Sequence, residues 1–299
     1  MSSVTINTRT GTGETATLKA YSSFEPYELT DYLDAMANVL PGIAILVERM
    51  PTSVLTDRLI QERDHPVADL ILGWSDTASK TKGLASIVSN RLGRGDGYVR
   101  PTGFSTAFVL DAKVLSSIGK DVSTWEDLAD PSLKNRVYFP NPAISGAGFL
   151  ALNTILQAYG DQESTWSLLR SICNNVAEFP GSAWRAAEAV GDGQVAVGVT
   201  VKIAVTKRLS QMNSLQLLEP CDVVGCESEV YGELSNSKQA VAVSHVLRWL
   251  ESQSAMDLFL KHNKTVLAEA ADNLFMIDAA RAASERDRNV LRFQSMMKA

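Results

Sequence analysis

The sequence predicts an α/β protein. Three observations carry this: strand-like and helix-like segments alternate along the chain, several strand runs are apolar throughout, and helical segments carry apolar residues at spacings of three and four. Continuous apolar runs are expected of strands buried on both faces.

In chain order, Ala16–Tyr21 reads as a strand. Tyr27–Leu40 reads as a helix, with Leu29, Leu33, Met36 and Leu40 on one face. Ile43–Val47 is β-branched and reads as a buried strand; Ser53–Glu62 reads as a helix and Val67–Leu72 as another buried strand. Phe104–Leu110 is strand-like, and Thr124-x-x-Asp127 signals a helical start. Arg136–Phe139 and Val195–Val201 read as strands with helices near 149–159 and 162–172 between them, the first closed by Gly160. Lys238–Val243 reads as a short strand, 244–261 as one long helix, and Ala279–Met297 as a charged helical tail.

The 299 residues are 45% hydrophobic and 21% charged, enough for one large domain or two medium ones. A net charge of −6 without a basic cluster argues against nucleic acid. No apolar run reaches the length of a membrane span. Met1 to Glu14 is polar and lacks the basic and apolar regions of a secretory signal. That suits either a cytosolic protein or one whose signal has been removed. Cys173, Cys221 and Cys226 are too few for a disulfide scaffold; Cys221 and Cys226 are close enough in sequence to bridge a small loop, but buried thiols are the simpler reading. His65, His245 and His262 are scattered and no zinc spacing exists, so no metal and no cofactor are expected.

In open α/β sheets, ligands collect at the carboxyl ends of strands. The loops there are Ser22-Ser23-Phe24-Glu25-Pro26-Tyr27, Gly73-Trp74-Ser75-Asp76, Ser145-Gly146-Ala147-Gly148, Phe179-Pro180-Gly181-Ser182, and Lys202 after Val201. Small hydroxyl residues and glycines at helix starts offer free N–H groups and the positive end of a dipole to an anion. Each has a structural alternative. Ser145 suits a plain N-cap and Glu25 a cap beside Pro26; Trp74 and Tyr27 suit packing, and Lys202 the surface. Gly146-x-Gly148-x-x-Ala151 also satisfies the dinucleotide pattern, but Pro140–Ser145 separate it from its strand and no acidic residue ends a following strand. Gly-x-Ser-x-Gly is absent and no serine pairs visibly with a histidine, so no enzyme is predicted.

The order of the loops carries a resemblance. "TLKAYSSFEPYELTDYLDAM", "HPVADLILGWSDTAS", "STWEDLADPSLKNRVYFPNPAISGAGFLALNTILQAYG" and "GDGQVAVGV" resemble, in this order, the extracellular solute-binding proteins of ABC importers. Within them the chain looks most like the iron(III)- and 2-aminoethylphosphonate-binding branch, and "YSSFEPYEL" and "AARAASERDRNVLRF" look like the aminophosphonate members. The resemblance implies a type II periplasmic-binding-protein fold: two α/β lobes, 1–107 plus 232–299 and 108–231, joined by crossover strands, with a central ligand cleft. It implies a monomer in the periplasm or outside the cell that passes a small solute to an ABC permease. It places Ser22, Ser23 and Glu25, then Trp74, Ser75 and Asp76, then Ser145, Gly146 and Gly148, then Gly181 and Ser182, in ligand loops, and Glu229 before the return crossover. Where iron-binding members place two adjacent tyrosines, this chain has Val201-Lys202. The expected ligand is therefore a phosphonate-type zwitterion, its anion held by the Ser/Gly loops and its amine by Glu25, Asp76 or Glu229; iron(III) or a phosphate ester is the alternative.

Overall fold

The computed structural model describes residues 4–8, 16–91, 93–204, 215–269 and 274–297. The order of elements opens with β1 (Val4–Thr8), β2 (Ala16–Ser22), α1 (Pro26–Val39), β3 (Ile43–Arg49), α2 (Thr52–Gln61), β4 (Leu70–Ser75), α3 (Asp76–Ser79) and β5 (Tyr98–Val99). It continues with β6 (Thr102–Asp111), α4 (Ala112–Ser117), β7 (Val137–Tyr138), α5 (Gly146–Ala158), α6 (Glu163–Asn175), β8 (Val176–Glu178), α7 (Ala183–Gly191) and β9 (Val197–Val201). It closes with β10 (Leu215–Leu218), β11 (Val224–Glu233), α8 (Ala240–Leu250), α9 (Gln253–Lys261), β12 (Thr265–Val266), β13 (Leu274–Met276), α10 (Ala279–Ser284) and α11 (Arg286–Met297).

The chain divides into two units, Met1–Gly103 with Ser228–Glu269, and Phe104–Glu227 with Ala270–Ala299. In the first, β2 pairs in parallel with both β3 and β4, β1 runs antiparallel on β3, and β11 runs antiparallel on β4. One face packs Leu18, Ile45 and Leu72 against Leu29 and Leu33 of α1, Val246 of α8 and Phe259 of α9. The other packs Ile71 and Trp74 against Leu55 and Leu59 of α2. Covered on both faces, β4 is buried along its whole length, whereas β2 leaves Thr17 and Lys19 exposed.

In the second unit, β7 pairs in parallel with β8 and β9, β6 runs antiparallel on β9, and β10 runs antiparallel on β6. One face buries Phe108, Val197 and Val199 beneath Leu152 of α5, Trp166 and Leu169 of α6 and Phe293 of α11. The other carries α7, through Ala186, Ala189 and Val190 against Val109. Trp125, Trp166 and Trp249 are all buried, as core residues should be. All three cysteines are free; Cys173 and Cys226 are buried as expected but Cys221 is exposed, and burial pushes the Cys173 thiol up to about 12.

Three sequence-based assignments need correction. Residues 238–243 are not a strand: Ala242, Val243, Val246, Leu247 and Leu250 form the buried stripe of α8. The long helix expected at 244–261 is two, broken at Ser252, whose hydroxyl caps α9 by accepting the N–H of Ala255. The tail at 270–299, assigned to the first lobe with 232–269, packs in the second unit, because Phe293 stacks on Phe139 and Phe179 at centroid distances of 5.4 and 6.0 Å.

Candidate functional site

In the second unit, β7, β8 and β9 run parallel, and β9 continues three residues past the end of β7. The loop after β7 opens α5, the loop after β8 opens α7, and Lys202 follows β9. The first two loops touch: the Asn141 N–H donates to the Pro180 carbonyl at 2.8 Å. Two helix N-termini are thus held side by side, each with first-turn N–H groups that no earlier turn can satisfy.

Ser145 is the N-cap of α5; its buried Oγ accepts the Gly148 N–H at 3.3 Å. The cap role does not use its own proton. Gly146 and Ala147 form the first turn behind it. Gly148 answers to packing: a Cβ there would lie 2.1 Å from the Pro140 carbonyl oxygen. Gly181 and Ser182 are half-buried, and Ser182 is the N-cap of α7 without capping it through its side chain. Lys202 is half-exposed, its Nζ 3.2 Å from Glu219. Arg286, at the start of α11, donates to the Ala143 carbonyl and lies 4.3 Å over the Phe149 ring. It is a cation beside the Ser145 loop that the sequence offers no local means to place.

In the first unit, the residues read as ligand donors are mostly engaged already. Ser22 Oγ donates to the Leu72 carbonyl at 2.7 Å and Ser23 Oγ to the Gly73 carbonyl at 2.5 Å, tying the end of β2 to the middle of β4. Ser75 is buried and its Oγ accepts the Ala78 N–H. Trp74 is fully buried, with its indole N–H on Thr56 Oγ1. The register between β4 and β11 shifts between Trp74 and Ile71, beside Gly73 at φ +66°. That bulge puts Trp74 on the same face as Ile71, into the core. Gly73 is obligatory, since its Cβ would meet the Phe24 ring at 1.9 Å. The Tyr27 side chain lies outside the described residues.

Each acid expected to meet an amine holds a cation of the protein instead. Glu25 takes Arg49 at 3.0 Å, and Arg49 also donates to the Phe24 carbonyl. Asp76 takes Arg100 through both oxygens, at 2.9 and 3.1 Å. Burial lowers the Arg100 pKa but is outweighed by Asp96 and Asp76, so the net shift is upward. Glu229 is buried against Lys264, with oxygens at 2.6 and 2.8 Å from Nζ, and Thr102 Oγ1 donates to it at 2.6 Å.

Lys264 also meets Glu28 at 3.1 Å and lies 4.1 Å over the Phe24 ring. The Tyr32 hydroxyl donates to Glu28. Burial raises the Glu28 pKa further than Lys264 lowers it, whereas the two carboxylates raise that of Lys264 against its own burial. The cluster therefore keeps Lys264 charged, while burial favours the protonated form of Glu28.

Among the described residues, no group of three or more His, Cys, Asp or Glu side chains could hold a metal ion, and no helix is long and apolar enough to cross a membrane.

Comparison with known proteins follows the same lines. Residues 28–262 match the family described as bacterial extracellular solute-binding protein. The periplasmic binding protein AfuA from Actinobacillus pleuropneumoniae, solved with exogenous fructose-6-phosphate bound, superposes with a TM-score of 0.80 at 17% identity, covering 95% of this chain and 99% of that one. A substrate-binding protein of an ABC transporter from Agrobacterium tumefaciens gives 0.85 at 16% identity, covering 99% and 98%. Iron-bound HitA from Pseudomonas aeruginosa gives 0.75 at 14% identity, covering 94% and 99%. At these identities the likeness is one of fold, and these neighbours bind or transport solutes. A curated relative, an uncharacterized protein of Haemophilus influenzae, is 26% identical over 163 residues, 53% of this chain and 46% of that protein, so the match spans about half the relative's length.

Proposed function

We infer, for a chain that belongs to the bacterial extracellular solute-binding proteins, that it captures a small oxyanion-bearing solute and delivers it to an ABC permease. The observation that carries the ligand class is the convergence of the α5 and α7 N-termini, joined through Asn141 and Pro180, with Lys202 at the end of the neighbouring strand. First-turn N–H groups without a carboxylate in these loops suit a phosphonate or phosphate head, and Lys202, which also pairs with Glu219, is the cation directly after β9. The sugar phosphate bound by AfuA carries such a head.

The aminophosphonate reading is kept for its head group, with 2-aminoethylphosphonate as the first compound to try. Its amine finds less support. Glu25, Asp76 and Glu229 are each neutralised by Arg49, Arg100 or Lys264, so no ligand ammonium is needed to relieve them. Ferric ion is disfavoured by Val201-Lys202, where a lysine would stand beside a trivalent cation.

A thermal-shift panel of 2-aminoethylphosphonate, methylphosphonate, inorganic phosphate, fructose-6-phosphate and ferric citrate tests the reading. The expected result is a shift with at least one phosphonate or phosphate. A shift confined to ferric citrate, with a visible charge-transfer colour, overturns it in favour of iron. No shift with any oxyanion overturns the ligand class.

A further inference from the structure

Ser105 carries the next step, which rests on the oxyanion reading. It is 2% exposed, and its Oγ is fully buried with no hydrogen-bond partner among the described residues. Buried hydroxyls are rarely left so, because desolvation without a bond is costly. The position of Ser105 says what it waits for. In the ladder between β6 and β9, Val109 faces Gly198, Ala107 faces Thr200, and the last pair is Thr106 with Val201. One step further lie Ser105 and Lys202.

Alternation puts Ser105 on the same face of β6 as Ala107 and Val109. That face is covered by α7: Val109 packs with Ala186, and Thr200 Oγ1 donates to the carbonyl of Ala183, the first residue of α7. Going from Ala186 back to Ala183 runs along β9 from Gly198 to Thr200, since Ala186 approaches Gly198 and Ala183 approaches Thr200. The next same-face position in that direction is Ser105, at the N-terminal end of α7, where Ser182 leaves its own hydroxyl out of the cap.

We propose that Ser105 is a ligand-binding residue, donating its hydroxyl proton to an oxygen of a phosphonate or phosphate head seated at the N-terminus of α7. A strand hydroxyl, the first-turn N–H groups and the Lys202 charge would approach the anion from three elements. Such a donor gains its bond only when the solute arrives, so it favours the loaded protein without stabilising the empty one.

The test compares wild type with Ser105→Ala and Ser105→Cys, titrating by calorimetry whichever of 2-aminoethylphosphonate, methylphosphonate, inorganic phosphate or fructose-6-phosphate shifts the wild type most. Ser105→Ala is expected to weaken binding about 10–100-fold, the range for a lost hydrogen bond to a charged group. Ser105→Cys, a weaker donor of similar shape, should fall between. The ligand-free melting temperature of Ser105→Ala should be unchanged or higher, because no bond is lost. An affinity within twofold of wild type overturns this inference alone. So does a ligand-free melting temperature that falls enough to account for the weaker binding. A wild type that none of the four shifts overturns the oxyanion reading and this inference with it.

Discussion

Among single residues, Glu28 has the most distinctive environment. It sits in the first turn of α1 with its carboxylate buried, facing Lys264 and Glu229, and it accepts bonds from the Tyr32 hydroxyl and the Glu25 N–H. Two carboxylates around one ammonium leave a net buried negative charge, which protonating Glu28 removes. Its folded pKa lies above the ordinary 4.5, with burial as the main cause. The resulting stability is fully present below about pH 4.5 and is lost as pH rises through the folded value. The stability of wild type relative to Glu28→Gln should therefore decline as the pH rises above about 4.5, whatever constant offset the amide introduces. Urea midpoints at four or five pH values measure this. A difference that is flat with pH would mean that Glu28 stays charged throughout. Removing the ammonium is harsher: Lys264→Met leaves both acids unpaired, and about 3–5 kcal/mol is the usual cost of stranding a buried charge.

Elements differ in how much of them the sequence reveals. Helices α1, α5 and α6 and strands β2, β3 and β6 follow directly from apolar spacing, and the loops at strand ends follow from the topology of α/β sheets. The Ala-Val-Ala-Val run at 240–243 misleads because a strand and a buried helix share an apolar run of that length; the helical stripe emerges only with Val246 and Leu250. Trp74 misleads for another reason, since alternation cannot foresee a bulge at Gly73. The ion pairs are beyond local sequence reasoning, because Asp76 and Arg100 are 24 positions apart, Glu229 and Lys264 35. Arg49 is within reach of sequence reasoning, being the last residue of β3 and so subject to the same rule as the loops at the other strand ends. The α5 entrance shows function and packing sharing one motif. Ser145 caps the helix, while Gly148 lets its first turn lie on Pro140. Gly148→Ala should therefore cost about 3 kcal/mol, since the obstacle is backbone, and an overpacked site of this kind relaxes poorly. A denaturation midpoint within a few tenths of a kcal/mol of wild type would show that the Pro140 loop moves aside freely.

At the scale of the whole molecule, the chain passes between the two units three times, at residues 103/104, 227/228 and 269/270, and the last passage decides where the tail works. Helix α11 closes the core of the second unit. Phe293 is fully buried between Phe139, at the end of β7, and Phe179, after β8. Arg288 and Arg292 pair with Asp161 and Glu163 at the start of α6, and Arg292 lies 4.3 Å over the Trp166 ring. Phe139 and Phe179 are the residues from which the two anion loops depart, so one side chain near the C-terminus supports both. Phe293→Ala should lower stability by about 3–5 kcal/mol, as for a large aromatic removed from a core. It should also weaken oxyanion binding, because the loops carrying Ser145 and Ser182 lose their common support. Phe293→Leu, which keeps most of the volume, should recover much of both. Calorimetric titration under conditions where each variant remains folded separates the effects. Full affinity in folded Phe293→Ala would mean that the tail stabilises the second unit without positioning its loops. Unchanged stability in the same variant would mean that Phe293 is not a filler of the second unit's core.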